Sequence, residues 1–150
     1  MQISHLPLTS MKEDDDFEVY ERLAASNMKP EDYYTAEELK THLTSGYVSA
    51  WWIKMGQQPV AWCGINNSND DWPGACNFLG LIVDKPYRHT KLALRMIRNI
   101  FRHVGDRPIT TYIQPGVETE RLLKPLGFKE VGTKECWQLY VCENNPFLKP

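Results

Sequence analysis

Several features that would declare this chain's chemistry are missing from it. No apolar run is long enough to cross a bilayer, which takes about 20 residues in succession, so no membrane partner is expected. The four cysteines, Cys63, Cys76, Cys136 and Cys142, form no C-x-x-C pair. His5, His42, His89 and His103 lack metal-ligand spacing, so no metal is expected either. The thiols read as reduced and mostly buried, in a cytoplasmic protein. The opening MQISHLPLTS has neither the charged start nor the apolar core of a signal peptide. Asn66-Asn67-Ser68 fits a glycosylation acceptor, which carries no meaning without secretion. No repeat, low-complexity segment or Gly/Ser-rich linker divides the chain. With 150 residues at 42% hydrophobic content, it is expected to form one domain, 1–150. The net charge of -2 supplies no global field toward nucleic acid.

What charge there is lies unevenly. Residues 12–38 are acid-rich, with Glu13, Asp14, Asp15 and Asp16 in a row. Residues 85–107 are base-rich, with Lys85, Arg88, Lys91, Arg95, Arg98, Arg102 and Arg107. Two solvated faces explain this; so would an anion site opposite a cation site.

Patterning predicts the elements. Ile3 to Leu8 reads as a first strand. Ser10 and Glu13 form a capping-box pattern for a helix with an apolar stripe at Phe17, Tyr20, Leu23 and Ala24. The acid run then falls in that helix's first turn, where the helix dipole favours it. Thr35 and Glu38 repeat the pattern before Ala36, Leu39 and Leu43, and Gly46 ends the second helix. Tyr47 to Met55 and Val60 to Ile65 read as a hairpin, Asn66 to Gly74 as a loop, and Asn77 to Val83 as a buried strand. Ala93, Met96, Ile97, Ile100, Phe101 and Val104 set a helix over Leu92 to Val104. Ile109 to Ile113 is a strand, Gly116 to Leu126 a short helix, and Phe128 to Val131 and Trp137 to Cys142 close as strands. The order β-α-α-β-β-β-α-β-α-β-β is α+β with a mixed sheet.

Chemistry is expected where the strand ending at Val83 meets the helix from Leu92. The first-turn N–H groups of that helix face the loop and favour an anion. Arg88, His89 and Lys91 add charge or donors there. The bland alternative is a solvated basic loop. Trp51, Trp52, Trp62 and Trp137 read as sheet residues. Trp72, beside Asp70 and Asp71, could line a site for a cationic amine or simply anchor its loop. Tyr112 and Tyr140 read first as strand packing.

Val83-Asp-Lys-Pro-Tyr-Arg88 resembles the V-x-x-P-x-R lead-in of the GNAT acyl-CoA N-acyltransferases. Arg121-Leu-Leu-Lys-Pro-Leu-Gly-Phe128 resembles that family's L-Y-x-x-x-G-F motif. The element order agrees over nearly the whole chain. The resemblance implies a GNAT-like mixed, mostly antiparallel sheet flanked by helices on both faces. It implies acetyl-CoA as co-substrate and an amine of a small molecule or protein as acceptor. Leu81, Ile82 and Val83 would offer backbone groups to the pantetheine arm. Arg88, His89, Thr90, Lys91, Leu92 and Ala93 would hold the pyrophosphate.

The sequence also departs from the pattern. Lys91 replaces the family's central glycine, Leu123 its tyrosine acid, and Gly116 the asparagine that opens the last helix. The carboxylate base of the fourth strand has no clear counterpart; Asn77 and Cys76 sit near its place. Some phage-encoded relatives of this type share the irregular loop and the leucine before the final glycine. The alternative reading is therefore a catalytically inactive GNAT-fold protein with a binding or structural role, as in a virion. Nucleic-acid binding through the basic helix ranks below both. A C-terminal edge strand offers a route to a homodimer.

Overall fold

The computed structural model describes residues 6–88, 90–113, 121 and 123–147. Its elements are β1 (Leu8–Ser10), α1 (Phe17–Asn27), α2 (Ala36–Thr44), β2 (Val48–Met55), β3 (Gln58–Asn66), β4 (Cys76–Val83), α3 (Leu92–Val104), β5 (Ile109–Ile113), β6 (Lys129–Lys134) and β7 (Trp137–Cys142). The strands form one mixed sheet in the order β1-β2-β3-β4-β5-β7-β6. β4 and β5 pair in parallel, while β1–β2, β5–β7 and β6–β7 are antiparallel. The fold is therefore α+β, a mostly antiparallel sheet flanked by helices. The residues group into two compact units, Met1–Ile65 with Leu79–Ile100, and Asn66–Phe78 with Phe101–Pro150.

In the first unit the amphipathic pattern of α1 holds as expected: Phe17, Tyr20, Leu23 and Ala24 are all buried. They join Leu39, Val48, Ala50, Trp52, Trp62 and Ile82 in one core cluster. Trp62 is 2% exposed, and its ring lies 4.9 Å from that of Tyr20. A Cβ at Gly64 would sit 2.7 Å from the Trp62 ring, so only glycine leaves room for it. The next residue along β3, Cys63, places its sulfur 3.8 Å from that of Met96 on α3. Successive strand residues point to opposite faces, so α1 and α3 cover opposite faces of this part of the sheet. Leu92, Met96 and Ile100 are the α3 residues buried there. Thr35 and Glu38 complete the expected capping box of α2, which contributes about 1 kcal/mol.

Two expectations near the N-terminus shift. The first strand is Leu8–Ser10, later than read, because it pairs with Ile53, Trp52 and Trp51 of β2; residues 1–5 lie outside the described part. Ser10 belongs to that strand and caps nothing. Asp16 caps α1 instead, its carboxylate accepting from the Glu18 N–H. The acids before it form a turn in which Lys12 N–H donates to Asp15 Oδ2 at 2.7 Å.

In the second unit, Phe101 packs against Phe128 and Phe147, with ring centroids 6.2 and 5.3 Å away. The Asn145 side-chain amide donates to the carbonyls of Phe101 and Gly105. That closes the C-terminus of α3, where Gly105 turns with φ 67°. Most of the expected helix Gly116 to Leu126 lies outside the described residues. Its end is a 3-10 turn, Lys124–Leu126, closed by Gly127 in the left-handed region. β6 stands last in the strand order and is exposed at all six positions. It carries Lys129, Glu130 and Lys134 and a register shift between Glu130 and Gly132. Charge and irregularity of this kind oppose pairing with another edge.

Candidate functional site

Two places hold side chains arranged for chemistry. The first is the strand–loop–helix connection of the first unit. After Val83 the chain makes a 3-10 turn at Lys85–Tyr87, where Pro86 suits the helical start. Thr90 Oγ1 donates to Tyr87 O at 2.7 Å and accepts, at 3.4 Å, from the Leu92 N–H. The first helical bond of α3 runs from Arg95 N–H to Lys91 O. The N–H groups of Ala93 and Leu94 therefore take no partner among the described residues, and the exposed Lys91 side chain stands at the same turn.

Arg88 makes two hydrogen bonds to the chain itself. Its Nε donates to Val83 O at 3.1 Å and its Nη2 to Asn27 Oδ1 at 2.8 Å. Asn27, the last residue of α1, in turn donates to Leu23 O and to Asp84 Oδ1. Arg88 thus braces the loop against α1, and it engages the carbonyl of Val83, one of the three residues expected to offer backbone groups to the pantetheine arm. Ile82 is buried in the core, while Leu81 and Val83 are half-buried. β4 is in register with β5 at Cys76↔Ile109 and Asn77↔Thr110, with no further described pair. His89 lies outside the described residues, as does Gly116.

The second place is an array of polar side chains in the second unit. Asn77 donates to Asn66 Oδ1 at 3.1 Å, and Thr110 donates to Asn77 Oδ1 at 3.0 Å. Asn69 Nδ2 donates to Thr110 Oγ1 at 2.7 Å and reaches Tyr112 Oη at 3.2 Å. Tyr112 Oη and Lys134 Nζ both donate to Asp71 Oδ2, each at 2.6 Å. Thr110 and Tyr112 project from one face of β5, as alternate strand residues do. Lys134, and after it the Tyr112 hydroxyl, hold the Asp71 carboxyl below the usual carboxylate range. Burial, and then the Asp71 carboxylate, push the Tyr112 phenol up. The bond to Asp71 raises Lys134 in turn. A carboxylate so held stays ionised, which makes it a weak proton acceptor and a good cation partner.

Sequence reasoning named Asp71, Asn77 and Tyr112 separately and missed both their union and Lys134. The available signal was polar residues, Asn66, Asn77 and Thr110, inside largely apolar strands. Of the other residues considered, Tyr140 is buried, Trp72 is half-buried in its loop, and Leu123 puts an apolar side chain where an acid was sought. Among the described residues no group of histidine, cysteine or carboxylate side chains could hold a metal ion.

Neither a protein-family model nor a curated protein matches the sequence. Solved structures match its fold. The PaiA N-acetyltransferase of Thermoplasma acidophilum, in complex with coenzyme A, superposes with a TM-score of 0.72 at 12% identity, over 93% of this chain and 100% of its own. An aminoglycoside 6'-N-acetyltransferase complexed with coenzyme A gives 0.72 at 13% identity, over 97% and 99%. The ribosomal-protein-S18-alanine N-acetyltransferase of Escherichia coli gives 0.64 at 10%, over 95% and 98%. The chain has the fold of the GNAT acyl-CoA N-acyltransferases.

Proposed function

We propose that this protein is an acetyl-CoA-dependent N-acetyltransferase acting on an amine. The observation that carries the reading is the first turn of α3. It directly follows the connection from β4, presents N–H groups at Ala93 and Leu94 that take no partner among the described residues, and adds the Lys91 ammonium. Such a turn suits a pyrophosphate through donors and dipole together. Lysine in place of glycine fits this use: its side chain is exposed, and it binds phosphate as a point charge. Solved structures of this fold in complex with coenzyme A support CoA as the ligand. Thr90 holds the turn and Arg88 holds the loop. Leu81 and Ile82 would supply backbone groups to the pantetheine arm, and the Val83 carbonyl is shared with Arg88.

Acetyl-CoA would bring the acetyl group as a thioester. The amine nitrogen attacks the carbonyl carbon, the C–N bond forms, the C–S bond breaks, and the thiolate takes up a proton. Positioning alone can supply roughly 7–11 kcal/mol of such a barrier, so a tyrosine at position 123 is not indispensable. That same leucine favours the second reading, a GNAT-fold binding protein without turnover. Isothermal titration with CoA, followed by mass spectrometry of amines incubated with acetyl-CoA, separates the cases. Saturable one-to-one binding and an amine gaining one acetyl group support the proposal. No heat at millimolar CoA overturns it, and binding without product leaves the second reading.

A further inference from the structure

We propose that Asp71 and Tyr112 form a recognition site for a primary ammonium group, and that the chain's own Lys134 occupies it in this structure. The two sides of the contact are unlike. The receiving side is braced: Asp71 N–H donates to Asn69 Oδ1 at 2.8 Å, and Asn69 is fixed by Thr110 and Tyr112. Thr110 is fully buried and is tied through Asn77 to Asn66, which is 5% exposed. The arriving side is loose. The Lys134 side chain is 57% exposed, on a strand with no buried residue, against 35% for Asp71.

The receiving groups match an alkylammonium ion in kind. One carboxylate oxygen accepts from Lys134 at 2.6 Å, the phenol shares that oxygen, and the Tyr112 ring lies 6.0 Å from the nitrogen. Carboxylate and aromatic face together suit a cation better than either does alone. Asp71 Oδ1 has no partner among the described residues. The buried Nδ2 of Asn66 likewise has none, so the array ends on an unused donor. An ammonium from outside can thus replace Lys134 with little rearrangement of the braced side.

The test is an NMR titration of the full chain, without CoA, using 1,5-diaminopentane and pentan-1-ol as the uncharged control. The expected result is saturable shifts at Asp71 and Tyr112 with the diamine only, several-fold tighter binding in Lys134→Met, and loss of those shifts in Asp71→Asn. Tyr112→Phe, which keeps the carboxylate and the ring, should bind several-fold more weakly and is the measure to use if Asp71→Asn loses its native spectrum. Lys134→Met binding no tighter, shifts that survive Asp71→Asn, unchanged affinity in Tyr112→Phe, or pentanol reproducing the shifts would each overturn the site. Because CoA is absent, failure here leaves the acetyl-CoA reading standing, and failure of CoA binding leaves this site standing.

Discussion

The connection from β4 to α3 and the polar array around Asp71 present opposite relations between sequence and chemistry. The first is contiguous: ten residues from Val83 to Leu92 carry it, and its motif is visible by eye. Yet its most motif-like side chain, Arg88, is spent on bracing Asn27 and Val83. The second is scattered: Tyr112 meets Asp71 across 41 positions and Lys134 meets it across 63. Its members carry no motif, yet one carboxylate oxygen of Asp71 accepts from both Tyr112 and Lys134 at 2.6 Å. The difference teaches that a motif marks where backbone is shaped, while the charged groups free to meet a ligand are settled by long-range contacts.

The comparison can be broken first at the frame beneath the connection. Trp62→Ala removes a buried indole that packs on Tyr20, and it should cost about 3–5 kcal/mol in a denaturant titration. A loss near zero would mean that β3 does not anchor this region. Gly64→Ala forces a Cβ to 2.7 Å from the same indole and should cost about 1–3 kcal/mol.

A smaller effect separates the two basic residues of the connection. Arg88→Ala should lower stability by about 1 kcal/mol, since it releases hydrogen bonds to Asn27 and Val83. Lys91→Ala should leave stability unchanged and weaken CoA binding. If both variants changed only binding, Arg88 would be an anion ligand and not a brace.

The smallest effect tests the array by pH. Asp71 is depressed in the folded protein, so what it contributes is present above its unfolded pKa and is lost as pH falls through the folded value. Lys134 is raised, so its contribution is present below its unfolded pKa and is lost as pH rises through the folded value. The contact should therefore persist between about pH 4 and pH 10 on ordinary side-chain values. The Lys134 NMR signals should change at the two ends of that window and not within it. Both groups are solvent-exposed, so global stability should scarcely follow.

Much of the fold was legible because local pattern and tertiary demand agreed. α3, β5 and β7 have the bounds that periodicity predicts, and the Thr35–Glu38 box caps α2 as read. Where they disagreed, pairing won: Ser10 is a strand residue because β2 offers it a partner, which leaves Asp16 to cap α1. The hairpin of β6 runs to Lys134, beyond the expected Val131, because the turn is made by Glu135 at φ 56° without a glycine to announce it. The array was illegible for the same kind of reason, since nothing near Asp71 in sequence points to Lys134.

The most direct measurement is an amide NMR titration with CoA. The account expects its largest, saturable shifts at Leu92, Ala93 and Leu94, the first turn of α3. Saturation that moves other amides and leaves those three still, or no shift at millimolar CoA, would contradict it.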